Sequence, residues 1–402
     1  MHRPKFIPKG PHRTHDYARP VMYRKHSRRP IKRTNYKDMP TTAPIAAPKR
    51  KATLALLIAA HNEEVVLAKT INSAIAAGMT PEHIYVVDDN SSDRTSAIAR
   101  SILPRQNVCK VRRSGKGLAL TKASKKYHLP ERYRWIHIAD ADGAFSPNYF
   151  PTFRKNLRVE NAAATGYVRS LPGKNVSQYR VFEYTVGMEL HRRFQSIFNI
   201  IPVIPGPTSC FRSDVFARVN FANKSLTEDF DVTLQIHRQK LGKIQFIPKA
   251  ITYTQDPGTV KDFTKQITRW NRGVMQGITR HRIGRKVSPI DAYLSYQVLQ
   301  NLLFFVNYFL WVPYLTMKHH SANILASIFV YDVLVTLGIS VLVAARSRRW
   351  DILSAFPIVY ALRWFGMVVF LRAFAEVVIL RKFRVSEGHW ENNAGRRYAL
   401  PV

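Results

Sequence analysis

Two aspartates, one residue apart, end an apolar segment about a third of the way along the chain. The segment Trp135-Ile-His-Ile-Ala-Asp-Ala-Asp-Gly143 has the composition of a buried strand that reaches the rim of a sheet. Because side chains alternate along a strand, we expect Asp140 and Asp142 to point the same way. Adjacent ionised carboxylates repel each other, and a hard divalent cation carrying a diphosphate would relieve that repulsion. The alternative is a turn with two solvated aspartates.

Acidic residues also open a predicted helix further along the chain. The segment Leu226-Thr-Glu-Asp-Phe-Asp231 places Thr227 where it can cap the helix, followed by Glu228, Asp229 and Asp231. A helix N-terminus carries partial positive charge, which stabilises acidic side chains there. The pattern therefore predicts a group of carboxylates at the start of one helix.

A second predicted helix, over Val260–Gly277, carries three large polar or aromatic residues on one side. Gln266, Arg269 and Trp270 fall at positions i, i+3 and i+4, so they share a face. A helix that only packs against its neighbours does not need this combination. The alternative is a structural tryptophan beside an arginine whose charged end reaches solvent.

Strand and helix patterns alternate from residue 52 onward, and the strands end in polar residues. This alternation predicts an α/β sheet of parallel strands that binds ligands beyond their carboxyl ends. The predicted strands include Thr53–Ala59, His83–Asn90, Val108–Val111, 160–170 and Phe246–Thr254, and the predicted helices include 93–103 and Leu118–Tyr127.

Two loops between these elements carry polar groups. Asn62 follows the first strand and can cap the next helix. The Gly115-Lys116-Gly117 turn precedes a helix, so its backbone N–H groups and its ammonium can approach a phosphate. A solvated basic turn would have the same sequence.

The charge of the chain is strongly positive. Over 402 residues, 62 Lys and Arg stand against 26 Asp and Glu, for a formal net charge of +36. Such an excess indicates an anionic partner. Residues 1–50 are rich in Arg, Lys and Pro without apolar periodicity, which predicts a disordered basic arm. The arm suits an anionic membrane surface, and the alternative is a solvated tail whose charge fixes the topology. Since no nucleic-acid-binding motif follows the arm, we expect no nucleic-acid partner.

The long apolar stretches all lie towards the end of the chain. Ala292–Thr316 and Ile324–Ala345 are each long enough to span a bilayer as a helix. Basic runs flank them at residues 280–286 and at Arg346-Ser-Arg-Arg349. By the positive-inside rule, these runs place the α/β domain in the cytoplasm of a multi-pass protein of the cell membrane.

Three further features concern the membrane. Asp332 lies within the second apolar stretch and is expected to face another helix, because a carboxylate in lipid is costly. Residues 352–380 are apolar again, and a tilted or partly interfacial third helix and a re-entrant one both stay open. The helix predicted over Tyr179–Phe198 is amphipathic, with Arg192 and Arg193 on its polar side, and fits either a membrane surface or core packing.

Four motifs stand in one order within residues 52–280. They are Asp88-Asp89, Asp140-Ala-Asp142, Thr227-Glu228-Asp229 and Gln266-Ile-Thr-Arg269-Trp270. With them the chain resembles the processive branch of family 2 glycosyltransferases, which includes cellulose, chitin, hyaluronan and poly-β-1,6-N-acetylglucosamine synthases. The segments at residues 206–212 and 253–257 most resemble those of poly-β-1,6-N-acetylglucosamine synthases. The implied fold is α/β, a GT-A nucleotide-sugar-binding domain with C-terminal transmembrane helices.

Composition, the apolar stretches and the resemblance together divide the chain into four parts. These are the disordered basic arm (1–50), a GT-A domain with interfacial helices (51–285), a membrane region of two to three helices (286–384) and a tail (385–402).

The resemblance implies roles for residues at matching positions. Asp229 is the implied general base, and like charge from Glu228 and Asp231 is expected to raise its pKa. Trp270 is the implied platform for the acceptor sugar. The implied donor-binding residues are Asn62, Glu64, Asp88, Asp89, Lys116, Asp140 and Arg269; the acceptor-binding residues are Trp270, Gln266 and Glu228; and the residues that bind Mg²⁺ or Mn²⁺ are Asp140 and Asp142.

The implied activity is inverting transfer of a sugar, N-acetylglucosamine, from a UDP-sugar to a growing β-linked polysaccharide. Transfer of one sugar to a polyprenyl-phosphate or glycolipid acceptor is the alternative activity. A non-catalytic membrane scaffold with a polyanion-binding arm is the alternative of another class. The chain shows no N-terminal transmembrane helices of the kind usual in that branch. Two or three transmembrane helices are also few for a polysaccharide channel within one chain. This leaves open a homo-oligomer, an accessory subunit and either a saccharide or a lipid-linked acceptor.

Overall fold

The structure is a computed structural model, and it describes residues 52–171, 176–222 and 225–382. The predicted basic arm over residues 1–50 and the predicted tail over residues 385–402 lie outside the described residues. The described chain builds a sheet flanked by helices, and an apolar helical region follows it.

The described residues form one sheet of eight strands. The strands are β1 (Ala52–Ala60), β2 (Ile84–Asp88), β3 (Val108–Lys110), β4 (Tyr133–Asp140), β5 (Ala144–Phe145), β6 (Asn161–Ser170), β7 (Ser209–Arg212) and β8 (Lys243–Thr254). Across the sheet they lie in the order β3-β2-β1-β4-β7-β6-β8-β5. The neighbours among β1, β2, β3 and β4 are parallel, as predicted for an α/β sheet.

The prediction that the whole sheet is parallel is wrong. Strand β7 runs antiparallel to both β4 and β6, and β5 runs antiparallel to β8. Only the β6–β8 pair in this half is parallel. Side-chain periodicity marks a segment as a strand, but the direction of pairing depends on how the chain returns to the sheet. The sheet is therefore mixed.

Helices cover both faces of the sheet and form the C-terminal region. They are α1 (Leu67–Ala76), α2 (Thr95–Ile102), α3 (Lys116–Lys126), α4 (Leu129–Arg132), α5 (Tyr149–Asn156), α6 (Val176–Val186), α7 (Arg193–Ile197), α8 (Ser213–Arg218), α9 (Glu228–Gln239), α10 (Val260–Arg280), α11 (Pro289–Val306), α12 (Val312–Lys318), α13 (Ala322–Ser347), α14 (Asp351–Ser354) and α15 (Phe356–Phe374). The π-helical segments Gly187–Arg192, Asn307–Trp311 and Ala375–Ile379 join α6 to α7, join α11 to α12 and extend α15.

Alternation along β1 separates two apolar layers. Leu54, Leu56 and Ile58 belong to a cluster with residues of α1, α2 and α5, whereas Ala55 and Leu57 belong to a cluster with residues of α3, α8 and α9. A parallel strand that is buried on both faces needs such an unbroken apolar run. The two layers hold the ends of the strands in fixed positions.

The segments that follow β1 and β4 differ from the prediction. Helix α1 begins at Leu67, and Asn62 does not cap it. Asn62 has a left-handed backbone with φ 54°, and its side-chain oxygen accepts a hydrogen bond from the N–H of Ser92 at 2.9 Å. Asn62 thus joins two loops. Strand β4 ends at Asp140, so Asp142 lies in the following turn and not in strand alternation with it.

The predicted amphipathic helix is present as α6, a π-helical segment and α7, but one of its two arginines is buried. Arg192 is 6% exposed, and its Nη1 donates to the carbonyl of Val203 at 2.5 Å. Arg193 has a half-exposed side chain. The prediction that both lie on the polar side is wrong for Arg192, because a π-helical segment shifts the faces of the residues within and after it.

The C-terminal helices pack against the sheet domain through α6 and α10. Phe263 and Ile267 of α10 share an apolar cluster with Leu362 of α15. Among the described residues, the helical stretches Pro289–Lys318 and Ala322–Ser347 are long and apolar enough to cross a bilayer, by length and composition. They contain the two predicted spans. Helix α15 does not meet the same test.

Asp332 of α13 makes its contacts with another helix, as expected. Its Oδ2 accepts a hydrogen bond from Tyr360 Oη at 2.7 Å and a second from Arg363. Both donors belong to α15. A carboxylate buried among apolar helices needs such partners, and Arg363 is one of the two arginines that interrupt the apolar stretch over residues 352–380.

Candidate active site

The carboxyl ends of three parallel strands meet at one edge of the sheet. In the strand register, Ala60 of β1 pairs with Asp88 of β2, and Ala59 pairs with Asp140 of β4. Asp88 and Asp140 therefore flank the end of β1, although they lie far apart in the chain. Ligands of open α/β sheets bind in the crevice beyond such strand ends.

Lys116 joins two of the sequence motifs at this edge. It is the first residue of α3, and its Nζ lies 2.7 Å from Asp140 Oδ1 and 2.8 Å from Glu228 Oε1. Burial alone would lower the pKa of Lys116, but Asp140 and Glu228 raise it well above its ordinary value. The ammonium therefore stays charged and holds two acids from separate segments together.

Gly206 leaves the space that this ion pair occupies. A Cβ atom added at Gly206 would lie 2.8 Å from Lys116 Nζ and 3.2 Å from Asp140 Oδ1. No side chain fits there without moving one of the two charged groups. The turn that precedes β7 therefore forms a wall of the site, with its backbone against Lys116 and Asp140.

Asp142 lies close enough to Asp140 for the charge of Asp140 to affect the ionisation of Asp142. Burial and, to a smaller extent, the charge of Asp140 raise the pKa of Asp142 to about 7, against smaller opposing effects of a backbone hydrogen bond and of Lys116. Two such carboxylates suit a divalent cation, because Mg²⁺ is commonly held by one or two carboxylates together with phosphate oxygens and waters. The described residues contain no group of three or more His, Cys, Asp or Glu that could hold a metal alone. The pair therefore fits a metal that arrives with a phosphate ligand.

Glu228 and Asp229 open α9 and differ in their ionisation. For Glu228, burial opposes ionisation, but Lys116 and Arg269 outweigh it and lower the pKa. For Asp229, burial and the neighbouring charge of Glu228 raise the pKa to about 6. Asp229 Oδ1 also accepts the N–H of Phe230 at 2.8 Å. A carboxylate with this pKa is ionised at neutral pH and takes up a proton more readily than an ordinary aspartate.

Asp231 is not among the main causes of the raised pKa of Asp229, contrary to the prediction. Its Oδ1 accepts hydrogen bonds from Arg280 Nη1 and His281 Nε2, each at 2.9 Å. The charge of Asp231 is thus matched by the end of α10. Thr227 lies at the predicted cap position, but its hydroxyl caps no backbone N–H.

Helix α10 lies against the start of α9 because two glycines allow it. A Cβ added at Gly273 would lie 2.3 Å from Thr227 Oγ1, and one at Gly277 would lie 2.6 Å from the ring of Phe230. This close approach brings Arg269 to the acids, and its Nη1 donates to the carbonyl of Leu226 at 3.1 Å. Arg269 thereby acts electrostatically on both Glu228 and Asp229.

Gln266 and Trp270 lie on α10 beside a residue that the sequence analysis missed. Arg180 of α6 donates to Gln266 Oε1, and its guanidinium carbon lies 4.7 Å from the centroid of the Trp270 ring. The side chain of Arg180 is completely buried. Its signal in the sequence was an arginine between the apolar residues Tyr179 and Val181, at a position where an amphipathic helix faces the core.

The residues predicted to hold uridine already have partners within the protein. Asp88 accepts the N–H of Ser91 at 2.6 Å, and Asp89 accepts the N–H of Gly115 at 2.7 Å. Both aspartates are completely buried. These bonds shape the loops after β2 and β3, so the edge of the site depends on them. Glu64 lies nearer the surface and accepts hydrogen bonds from Arg94, as does Asn62 from Ser92.

Known proteins share sequence similarity with this chain. The family model described as "Glycosyltransferase like family 2" matches residues 51–273. The Bacillus subtilis (strain 168) protein named "Probable glycosyltransferase YdaM" is 26% identical over 363 residues, which cover 79% of this chain and 81% of the relative. The poly-β-1,6-N-acetyl-D-glucosamine synthase of Staphylococcus epidermidis is 25% identical over 230 residues, which cover 55% of this chain and 54% of the synthase. The chain thus aligns with about half the length of that synthase.

A solved structure shows the same fold. The mannosyltransferase PcManGT from Pyrobaculum calidifontis, in complex with GDP-Man and Mn²⁺, superposes with a TM-score of 0.50 at 16% identity, covering 82% of this chain and 91% of that one. The family match covers all four motifs and more than half of the 402 residues. The chain therefore belongs to glycosyltransferase family 2, and the protein is a glycosyltransferase with a GT-A-like fold.

Proposed function

We propose that this protein is a membrane-bound inverting glycosyltransferase that adds N-acetylglucosamine from a UDP-sugar to a growing β-linked polysaccharide. The observation that carries the proposal is the contact of Lys116 with both Asp140 and Glu228. Through it, two sequence motifs meet beside Asp229 at the strand ends, where a nucleotide-sugar would bind. The choice of sugar is supported by the relative named as a poly-β-1,6-N-acetyl-D-glucosamine synthase.

Asp229 is proposed as the general base. An inverting transfer requires a group that accepts the proton of the acceptor hydroxyl as that hydroxyl attacks the sugar. Asp229 is ionised at neutral pH, and its pKa of about 6 matches that task. Its neighbour Glu228 stays ionised beside Lys116 and so competes less for the proton.

Lys116 and Arg269 are proposed to receive the diphosphate of the donor. Lys116 lies against Asp140 and Glu228, and Arg269 acts on Glu228 and Asp229, so a bound diphosphate would give these two cations a further anionic partner. Asn62, Glu64, Asp88 and Asp89 would hold or shape the site of the uridine part. Gln266 and Trp270, with Glu228, would receive the acceptor sugar.

Asp140 and Asp142 would hold Mg²⁺ or Mn²⁺ together with the diphosphate. The proximity of two acids, one of them with a raised pKa, fits this role because a dication favours their ionised forms. When bound, the metal supplies positive charge at the leaving diphosphate. The Mn²⁺ named with the structure from P. calidifontis supports a divalent metal here.

A cell-membrane location is proposed for the helices α11 to α13. Pro289–Lys318 and Ala322–Ser347 are the two stretches of sufficient length and hydropathy in the described chain. Basic residues precede the first stretch and follow the second, so the positive-inside rule places the catalytic domain in the cytoplasm. The apolar side chains that these helices expose suit lipid contact.

The experiment uses the full chain in membranes, incubated with labelled UDP-sugars and Mn²⁺. We expect a ladder of products from UDP-N-acetylglucosamine that grows with time, and loss of that ladder with EDTA. The Asp229→Asn variant should form no product, whereas Glu131→Gln, a change at an exposed acid of α4, should match the wild type. A single product of fixed size in the lipid fraction would support one-sugar transfer to a polyprenyl phosphate or glycolipid instead. If no UDP is released from any donor, both polysaccharide elongation and one-sugar transfer are excluded.

A further inference from the structure

Among the described residues, Arg180 of α6 is the largest side chain that is completely buried. A guanidinium that is removed from water requires compensating charge and hydrogen-bond acceptors. Burial alone would lower the pKa of Arg180, but Glu183, Tyr184 and Asp256 raise it, so the group stays charged. The chemistry proposed above gives this buried cation no task.

Arg180 contacts side chains of its own helix and three side chains on one face of α10. Its Nη1 donates to Glu183 of its own helix, and its Nη2 donates to Gln266 Oε1. Its guanidinium carbon lies 4.7 Å from the ring centroids of both Phe263 and Trp270. Phe263, Gln266 and Trp270 are spaced by three and four residues, so Arg180 contacts successive turns of α10 along a single stripe.

This arrangement limits how the indole of Trp270 can lie. A guanidinium over an aromatic face is attracted by the ring, and its planar shape allows it to stack on that face. One face of the Trp270 ring is therefore covered by protein. A sugar that stacks on Trp270 must use the opposite face, and the orientation of the ring determines where that sugar lies relative to Asp229.

We propose that Arg180 is a positioning residue that orients Trp270 and Gln266 for the acceptor sugar. The inference rests on the proposed function, in which Trp270 is the acceptor platform. Arg180 acts through these two side chains and does not itself contact the donor. Its loss should therefore weaken the use of the acceptor while leaving the nucleotide site intact.

The test measures acceptor and nucleotide separately, in the full chain purified with lipid. The acceptor probe is a defined oligosaccharide of β-1,6-linked N-acetylglucosamine, and the nucleotide probe is UDP with Mn²⁺ in a calorimetric titration. We expect Arg180→Met to raise the acceptor KM by about tenfold, the size expected for a desolvated cation–π contact. Arg180→Lys, which keeps the charge without the planar fork, should show a smaller rise. The dissociation constant of UDP should stay within about twofold of the wild-type value.

A double variant separates positioning from a general loss of structure. In a Trp270→Leu background, Arg180→Met should raise the acceptor KM by a smaller factor than in the wild type, because the platform is already absent and only the contact with Gln266 remains to be lost. The control is Arg238→Lys, which changes another buried arginine. Arg238 Nη1 lies 2.5 Å from Asp291 Oδ2, and this ion pair is remote from the proposed acceptor face. Arg238→Lys should lower the unfolding temperature without changing the acceptor KM.

Three kinds of result would overturn the inference. If the wild type transfers sugar and both Arg180 variants keep the wild-type acceptor KM, Arg180 has no positioning role. The same conclusion follows if the variants weaken the binding of UDP by as large a factor as they raise the acceptor KM. If the effects of Arg180→Met and Trp270→Leu on the acceptor KM multiply independently, the two residues are not coupled. If the wild type transfers no sugar to any acceptor while still binding UDP, the proposed function fails first and the inference fails with it.

Discussion

Gly273 and Thr227 are in such close contact that a Cβ atom added to the glycine would lie 2.3 Å from the threonine hydroxyl. Gly273 belongs to α10, and Thr227 precedes the first turn of α9. This contact sets the distance between the helix that carries Arg269 and Trp270 and the turn that carries Asp229. The geometry of the site thus depends on a glycine that has no chemical role.

We expect Gly273→Ala to lower both stability and activity. Alanine favours a helix by up to about 1 kcal/mol over glycine, but the added methyl group has no room and overpacking costs about 1–3 kcal/mol. Thermal unfolding and the rate of UDP release would measure the two effects. Gly338→Ala in α13 is the matched control, because a Cβ there meets nothing within 4 Å. An active, fully stable Gly273→Ala protein would show that α10 can shift freely.

Replacement of the proposed base should separate chemistry from binding. Asp229→Asn preserves the size of the side chain and removes its ability to accept a proton at neutral pH. We expect transfer to fall by about 10²–10⁴-fold, the range for loss of a general base. Binding of UDP should change little, and calorimetry would measure it. Transfer at the wild-type rate would exclude Asp229 as the base.

The rate of transfer should rise with pH through the pKa of Asp229. Burial and Glu228 raise this pKa to about 6, so the base is protonated below pH 6 and ionised above it. We therefore expect kcat to increase about tenfold per pH unit below 6 and to level off above about 7. Initial rates between pH 5 and 8, with the unfolding temperature checked at each pH, would measure the profile. A flat profile would contradict the assignment.

The same raised pKa should make Asp229 a source of instability at neutral pH. Since the folded protein binds this proton more tightly than the unfolded chain, stability from this group decreases as pH rises from about 4 to 6. The Asp229→Asn variant lacks that ionisation, so we expect it to be more stable than the wild type at pH 7.5, by about 1–3 kcal/mol. At pH 4 the difference should largely disappear. Unfolding curves at the two pH values would show whether the sign is correct.

Divalent metal should stabilise the protein more when UDP is present. Two carboxylates bind Mg²⁺ or Mn²⁺ weakly alone, and phosphate oxygens complete the coordination. We expect Mn²⁺ with UDP to raise the unfolding temperature more than the sum of the separate additions. Asp142→Asn should remove the synergy and retain the fold, because it also removes the repulsion between Asp142 and Asp140. Equal shifts in wild type and variant would place the metal elsewhere.

The sequence alone identified the strands β1, β2 and β4, the acids at their ends and the family to which the chain belongs. These properties depend on side-chain type and local periodicity, which the order of residues contains directly. The two apolar stretches after residue 289 were identified for the same reason. The family match confirms the resemblance, whereas the roles of individual site residues and the processive mode stay predictions.

Only the tertiary structure decided how those segments face one another. The antiparallel direction of β7, the pairing of Lys116 with both Asp140 and Glu228, and the diversion of Asp231 to Arg280 each join residues distant in the chain. The burial of Arg180 against Trp270 belongs to the same class. Composition and spacing contain no information about which distant side chain fills a given space, because that outcome is set by the packing of the whole domain.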